Sequence, residues 1–285
     1  MTADQVATPR LYQPITDDLV VAKSSGIATI SINRPDDNNR LSPDALAKLE
    51  VLAREFAQDD ETHVLIITGA GSAFFSMGIL NPTIRASFRK EDVIEIVRLA
   101  NRAYAAIESL PQIVIAALNG ITRAGGAELS LACDIRLAAA HATMALPEAS
   151  WGSFPGAGAP YRLASIVGRA RALELICTSR AVDAAEMERL GLVENVYPSD
   201  QLMKEAGALA TRIAAAGPLA TRGAKRIMAM RLEPGLSSAR ELSDALRYAI
   251  EWSDDVDEGI IVNRRWIGTP DRHPKGTPLN GGFGR

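Results

Sequence analysis

An α/β fold followed by an all-helical C-terminal region is what this sequence predicts, and three observations carry the prediction. Residues 113–118, IVIAAL, form an uninterrupted apolar run of strand length, the pattern of a strand buried on both faces. Residues 27–32 alternate, with Ile27, Thr29 and Ser31 set against Ala28, Ile30 and Ile32, which is the two-residue period of a strand. Between these strands, Leu46, Leu49, Leu52, Ala53 and Phe56 recur at helical spacing and read as the core-facing stripe of a helix. Strand–strand–helix units recur along the chain, although no stretch of sequence repeats.

Residues 1–17 read as a loose arm, and Leu19–Ala22 with Ile27–Ile32 form a hairpin around Ser24-Ser25-Gly26. A polar loop from Arg34 to Asn39 precedes Ser42-Pro43-Asp44, a helix start with proline at the first position. His63–Thr68 is the next strand, broken by Gly69-Ala70-Gly71-Ser72. The segment AFFSMGILNPT reads as a loop whose apolar residues either pack beneath it or wall an apolar ligand. A helix spans 90–110 and stops at Pro111. Two short strands at 136–140 and 143–145 lead to Pro147-Glu148, and EASWGSFPGAGAPYRL reads as a row of turns carrying Glu148 and Trp151. Helices follow at 170–177 and 184–190, the second capped by Asp183 and ended by Gly191, and then a short strand at 193–196. Helices of about 201–216, 218–230, 238–252 and 255–267 complete the chain before a Gly/Pro-rich tail.

Composition excludes several function classes. With 285 residues and 47% hydrophobic content the chain can bury a full core. The balance of 31 basic and 34 acidic residues, net −3, gives no field to recruit nucleic acid or an anionic membrane. No apolar run approaches the roughly 18 residues of a membrane span, and the N-terminus has no apolar targeting segment. Cys133 and Cys177 lack CxxC spacing, and His63, His141 and His273 are scattered, so neither a disulfide nor a metal is expected. A soluble cytoplasmic protein is the expectation.

Chemistry is expected at residues 113–136, IVIAALNGITRAGGAELSLACDIR. The apolar strand ends in Asn119-Gly120, Gly125 and Gly126 let a ligand approach the backbone, and 127–133 reads as a helix. The first amides of a helix have no internal acceptor and stabilise an anion. Glu128 has two readings here. Acids are favoured in first helical turns for electrostatic reasons alone; a carboxylate beside an oxyanion site is the sharper reading, and it needs a partner.

Several motifs in register supply that partner. NRPDDNNRLSPDAL, GAGSAFFSMGIL, NGITRAGGAELSLACDIRLA and MALPEASWGSFPGAGAPYRL together resemble the four signature segments of the crotonase, or enoyl-CoA hydratase/isomerase, superfamily, from about residue 19 to 268. The resemblance implies a crotonase-like spiral of repeated ββα units over 18–198 holding the active site, a helical trimerisation region over 199–268 and a flexible tail over 269–285. It also implies an acyl-CoA thioester substrate, no separate cofactor, no metal, and assembly as a homotrimer or dimer of trimers. Residue by residue, it assigns oxyanion-hole amides to Ile79 and Gly125 and the two catalytic carboxylates to Glu128 and Glu148. Substrate and CoA contacts fall on Asn39, Arg40, Leu41, Ser76, Met77, Gly78, Gly126 and Trp151. Such a site fits hydration of a 2-enoyl-CoA, with Glu128 on the water and Glu148 on the Cα proton; isomerisation, C–C bond cleavage on the same fold, and non-catalytic binding of CoA esters or RNA are the alternatives.

Met77, Leu80, Ala124 and Ala159-Pro160 depart from the family pattern, and all lie near the expected site. Arg123 is an unusual cation just before the hole glycine, able to meet Glu128, a substrate carboxylate or solvent. Trp151 reads either as an aromatic wall for the acyl group or as packing.

Overall fold

The computed structural model describes residues 18–232 and, beyond them, 240–241, 244–245, 248–249 and 251–252. The chain runs through β1 (Leu19–Ser24), β2 (Ile27–Ile32), α1 (Pro43–Ala57), β3 (Val64–Gly69), β4 (Phe74–Ser76), α2 (Pro82–Arg85) and α3 (Lys90–Glu108). It continues with β5 (Ile113–Leu118), β6 (Ile121–Arg123), α4 (Gly125–Leu131), β7 (Ile135–Ala139), β8 (Thr143–Ala145), α5 (Ala159–Val167) and α6 (Arg169–Thr178). Last come β9 (Val182–Asp183), α7 (Ala184–Leu190), β10 (Asn195–Tyr197), α8 (Leu202–Ala214) and α9 (Pro218–Leu232).

Two sheets organise these elements. The larger has the order β1-β2-β3-β5-β7-β10 and the smaller β4-β6-β8-β9. In each of the pairs β3–β4, β5–β6 and β7–β8 the first strand joins the large sheet and the second joins the small one. Each of these three strand pairs therefore adds one strand to both sheets, which is the spiral of ββα units, whereas β1 and β2 both belong to the large sheet. β2, β3, β5, β7 and β10 are parallel neighbours, as are β4, β6 and β8; only β1 and β9 run antiparallel to theirs.

The large sheet forms where the sequence is most apolar. All six residues of β3 and five of the six of β5 are buried, so apolar side chains fill both faces. Ser42 caps α1, its Oγ accepting from the Ala45 amide at 3.0 Å, and Leu46, Leu49, Ala53 and Phe56 point inward as the stripe predicts.

Strands must part where the chain leaves the large sheet for the small one, and buried asparagines satisfy the backbone there. Asn119 Nδ2 donates to the carbonyls of Gly69 (2.9 Å) and Gly71 (2.8 Å), while its Oδ1 accepts from the Gly69 amide (3.0 Å). Asn39 Nδ2 donates to Ala70 O (2.9 Å) and Phe74 O (2.7 Å).

Five elements differ from expectation. β4 and β6 lie in segments read as loop and turn: three-residue strands carry too few residues to display a period, and they exist because each pairs with the other. α2 is a single turn capped by Asn81, whose Oδ1 accepts from Ile84 N at 2.8 Å. α5 occupies part of the expected row of turns, with Pro160 in its first turn, where proline is tolerated. α4 also begins at Gly125, two residues earlier than expected, which puts that glycine's amide at the helix start.

Beyond β10, α8 packs on the large sheet through Leu202, Ala206 and Ala210. The arm of 1–17, the expected helix of 255–267 and the tail of 269–285 lie outside the described residues, as does much of the expected helix of 238–252.

Candidate active site

Three parallel strands deliver three loops to one place. β4 and β6 pair with Phe74 opposite Ile121 and Ser76 opposite Thr122, so the segments that follow, Met77–Leu80 and Ala124–Gly125, emerge side by side. β8 lies on the other side of β6, Met144 opposite Thr122, and leads into the 3-10 turn Pro147–Trp151 that carries Glu148.

The first two loops touch directly. Gly78 has φ 82°, and a methyl group there would lie 2.7 Å from the Gly125 amide nitrogen and 2.8 Å from Arg123 O, so no side chain fits. The Ile79 side chain covers Gly125, while Gly126 backs onto Ser76. Gly125, as the first residue of α4, has an amide with no acceptor inside its helix. Hydrogen bonds from Leu41 N to Gly78 O (2.9 Å) and Met77 N to Asn38 O (3.1 Å) fix the Ile79 loop from behind.

Glu128, on the same short helix, is 3% exposed. Its Oε1 accepts from Ala157 N at 2.8 Å and Ala159 N at 3.1 Å. Ala159 is the first residue of α5, so a second helix start faces the carboxylate. Two amides aimed at one oxygen fix the direction of the carboxylate. Arg162 holds that loop: its Nη1 donates to Ala157 O at 2.9 Å and its Nη2 to Glu108 Oε2 at 2.9 Å. Burial disfavours the Arg162 charge, but the bond and charge of Glu108 outweigh it, and the guanidinium is held above its ordinary range. Behind Gly125, the buried Tyr104 hydroxyl donates to Gly125 O at 2.8 Å.

A cleft joins these groups, its space amounting to about 610 Å³ when the solvent at its mouth is included. Ile79, Gly125, Glu128, Glu148 and Trp151 all line it; Leu80, Val97 and Phe154 add apolar surface, and Ala124 and Arg85 complete the wall. Of the sequence-derived site residues, the two hole positions, both glutamates and Trp151 are thus brought together. Asn39, Arg40, Leu41, Ser76, Met77, Gly78 and Gly126 do not line this cavity. Asn39, Leu41 and Ser76 are fully buried, and Ser76 Oγ accepts from Gly78 N at 3.0 Å. Arg40 pairs with Asp37 at 3.3 Å. Arg123 lies on β6 and does not line the cavity, whereas Leu80, where the family pattern has an acid, forms part of its wall.

Sequence reasoning missed the amides of Ala157 and Ala159, and with them Arg162 and Tyr104. The small-residue run from Gly156 to Ala159 was the one available signal for a backbone approach, and nothing local marks Tyr104 beyond its place in a helical stripe. Among the described residues no group of His, Cys, Asp and Glu could hold a metal ion.

The family model described as enoyl-CoA hydratase/isomerase matches residues 22–265. The chain belongs to the enoyl-CoA hydratase/isomerase family. Bacillus subtilis YngF, whose name places it with the hydratases/isomerases without choosing between them, is 39% identical over 220 residues, 77% of this chain and 84% of that protein. The short-chain-enoyl-CoA hydratase of Clostridium acetobutylicum is 31% identical over 262 residues, 90% of this chain and 99% of its own. The crystal structure of an enoyl-CoA hydratase from Bacillus anthracis superposes with a TM-score of 0.74 at 35% identity, covering 87% of this chain and 96% of that one. The chain is an enzyme of this family acting on acyl-CoA thioesters.

Proposed function

We propose that the protein is an enoyl-CoA hydratase, adding water across the double bond of a 2-enoyl-CoA. One observation carries the reading: two candidate oxyanion donors and two buried glutamates face a single cavity. In this reading the thioester oxygen lies between the amides of Ile79 and Gly125, where charge develops as water attacks Cβ. Losing one such donor typically costs about 3 kcal/mol of transition-state stabilisation. Glu128, held by Ala157 N and Ala159 N, takes the proton from water. Glu148, bearing a proton, delivers it to Cα, and the proton that Glu128 took from water passes to Glu148 before the next turnover, so the elements of one water end on Cβ and Cα. Leu80, Val97, Trp151 and Phe154 receive the acyl chain.

The CoA moiety is assigned to the backbone near Asn39–Leu41 and Ser76–Gly78, and CoA enters only as part of the substrate, with no separate cofactor. The exposed apolar residues Leu219, Ile227 and Met228 on α9 support contacts between subunits in a trimer or pair of trimers. A stable monomer in sedimentation at micromolar protein would overturn that assembly. Balanced charge, two free cysteines and the absence of a helix long enough to cross a membrane among the described residues support a cytoplasmic location.

The test is turnover of crotonyl-CoA, followed as loss of the thioester enone absorbance. Hydration by the wild type, with both Glu128→Gln and Glu148→Gln strongly impaired, is the expected result. Equal inactivity of all three proteins on short, long and aryl enoyl-CoAs would refute the reading.

A further inference from the structure

We infer that Tyr104 is a positioning residue of the oxyanion hole, holding Gly125 by its carbonyl oxygen, on the peptide next to the one that carries the hole N–H. The inference rests on the assignment of a hole amide to Gly125.

Gly125 has no side chain, so only backbone bonds and neighbours fix the direction of its N–H. The residue before it makes this harder. Ala124 has φ 50° and ψ −128°, a conformation suited to glycine that is strained for a residue with a Cβ. The strain could relax by rotating the peptide joining Ala124 and Gly125, and that rotation would turn the hole's N–H away from the thioester oxygen. Such strain persists only where the surroundings over-determine the backbone.

Three bonds do this here. Ala124 N donates to Ala145 O at 3.1 Å, and Glu128 N donates to Ala124 O at 3.0 Å. The third lies on the peptide that follows, Gly125–Gly126: Tyr104 Oη donates to Gly125 O at 2.8 Å, so that, with the Ala124 N bond on the preceding peptide, both sides of the hole peptide are pinned. Tyr104 reaches this carbonyl from α3, across the core, and is not among the residues lining the cavity. It therefore acts through Gly125 and not on the substrate. Burial, reinforced by the charges of Glu128 and Glu148 against a smaller opposing effect of Arg162, holds its ionisation well above the ordinary tyrosine range, so the hydroxyl remains a donor at neutral pH.

The experiment compares wild type with Tyr104→Phe, which deletes the donor and keeps the ring. Two readouts separate positioning from packing: the split between kcat and KM for crotonyl-CoA, and the red shift of the ultraviolet band of cinnamoyl-CoA on binding, which reports polarisation of the thioester carbonyl. The expected result is a kcat about three- to tenfold lower with KM changed less than about twofold, and a smaller red shift at saturating ligand. A thermal melt first establishes that the variant is folded. Tyr104→Trp serves as a second variant that keeps a buried aromatic donor but cannot place it on Gly125 O, and it should show the same reduced shift. An unchanged kcat and red shift in folded Tyr104→Phe would overturn the inference. If the wild type shifts the chromophore but does not hydrate crotonyl-CoA, the hydratase reading fails and the clamp stands; no shift in the wild type overturns the hole and the clamp together.

Discussion

The two sheets of this protein are built on different terms. β3 and β5 of the large sheet are six-residue apolar strands, buried almost throughout, whose pairing follows from the hydrophobic area they remove from water. β4, β6 and β8 of the small sheet have three residues each and carry Ser76, Thr122 and Arg123. They are held by their neighbours, by the side chains of Asn39 and Asn119, and by glycines whose absent Cβ atoms let loops touch. The chemistry sits at the ends of the small sheet. The large sheet supplies stability, while the small one supplies position, so damage to each should be read by a different measurement.

The largest effect should come from the small sheet's side. Glu128→Gln is expected to lower kcat by about 10²–10⁴-fold, the usual range for a lost acid–base group. The melting temperature should stay nearly unchanged, because the amide oxygen can still accept from Ala157 N and Ala159 N. A large drop in melting temperature would mean that the carboxylate is structural, and the division between the sheets would weaken.

Ile115→Ala is the reciprocal experiment. Ile115 is fully buried on β5, and its truncation should cost about 2–5 kcal/mol in urea denaturation while kcat per folded molecule holds. Gly126→Ala should do both kinds of damage more mildly. Its methyl would lie 2.5 Å from Ser76 O, forcing the two hole loops apart at about 1–3 kcal/mol and lowering kcat with it. If kcat survives in Gly126→Ala, contact between these loops is not what sets the hole.

Ala124→Gly should act in the opposite direction. Relief of about 1–3 kcal/mol of strain outweighs the added freedom of glycine in the unfolded chain, about 0.5–1 kcal/mol, so the urea midpoint should rise slightly. The smallest effect concerns Cys133, whose thiol burial pushes from its ordinary 9.0 to about 12, against a lesser opposing effect of Arg136. The folded chain therefore keeps this proton after the unfolded chain has lost it. The contribution to stability is complete below pH 9 and is lost as pH rises toward 12. At pH 8 iodoacetamide should label exposed Cys177 and spare Cys133 until the protein is denatured.

The same division governs what could be read in advance. α1, α3, β3 and β5 were legible because burying apolar surface imposes a period of 3.6 or two, or an unbroken run, over enough residues to be seen. Glu128 and Glu148 were singled out by motif and order. The seven further expected contacts, in 39–41, 76–78 and at Gly126, do not line this cavity; the resemblance marks their positions along the chain, and their part in holding CoA belongs to the proposed function.

By itself, then, the sequence determined the α/β class, the large sheet, the caps at Ser42 and Asp183, and the candidacy of two glutamates. These depend on neighbours along the chain, or on apolar area that any buried arrangement must satisfy. The tertiary structure alone decided that β4 and β6 exist as strands, that Ala157 N and Ala159 N hold Glu128, and that Tyr104 backs Gly125. Each of these is a hydrogen bond between groups 21 or more residues apart. No local pattern records such a bond, because its energy is realised only when the two sheets have brought their loops to the same edge.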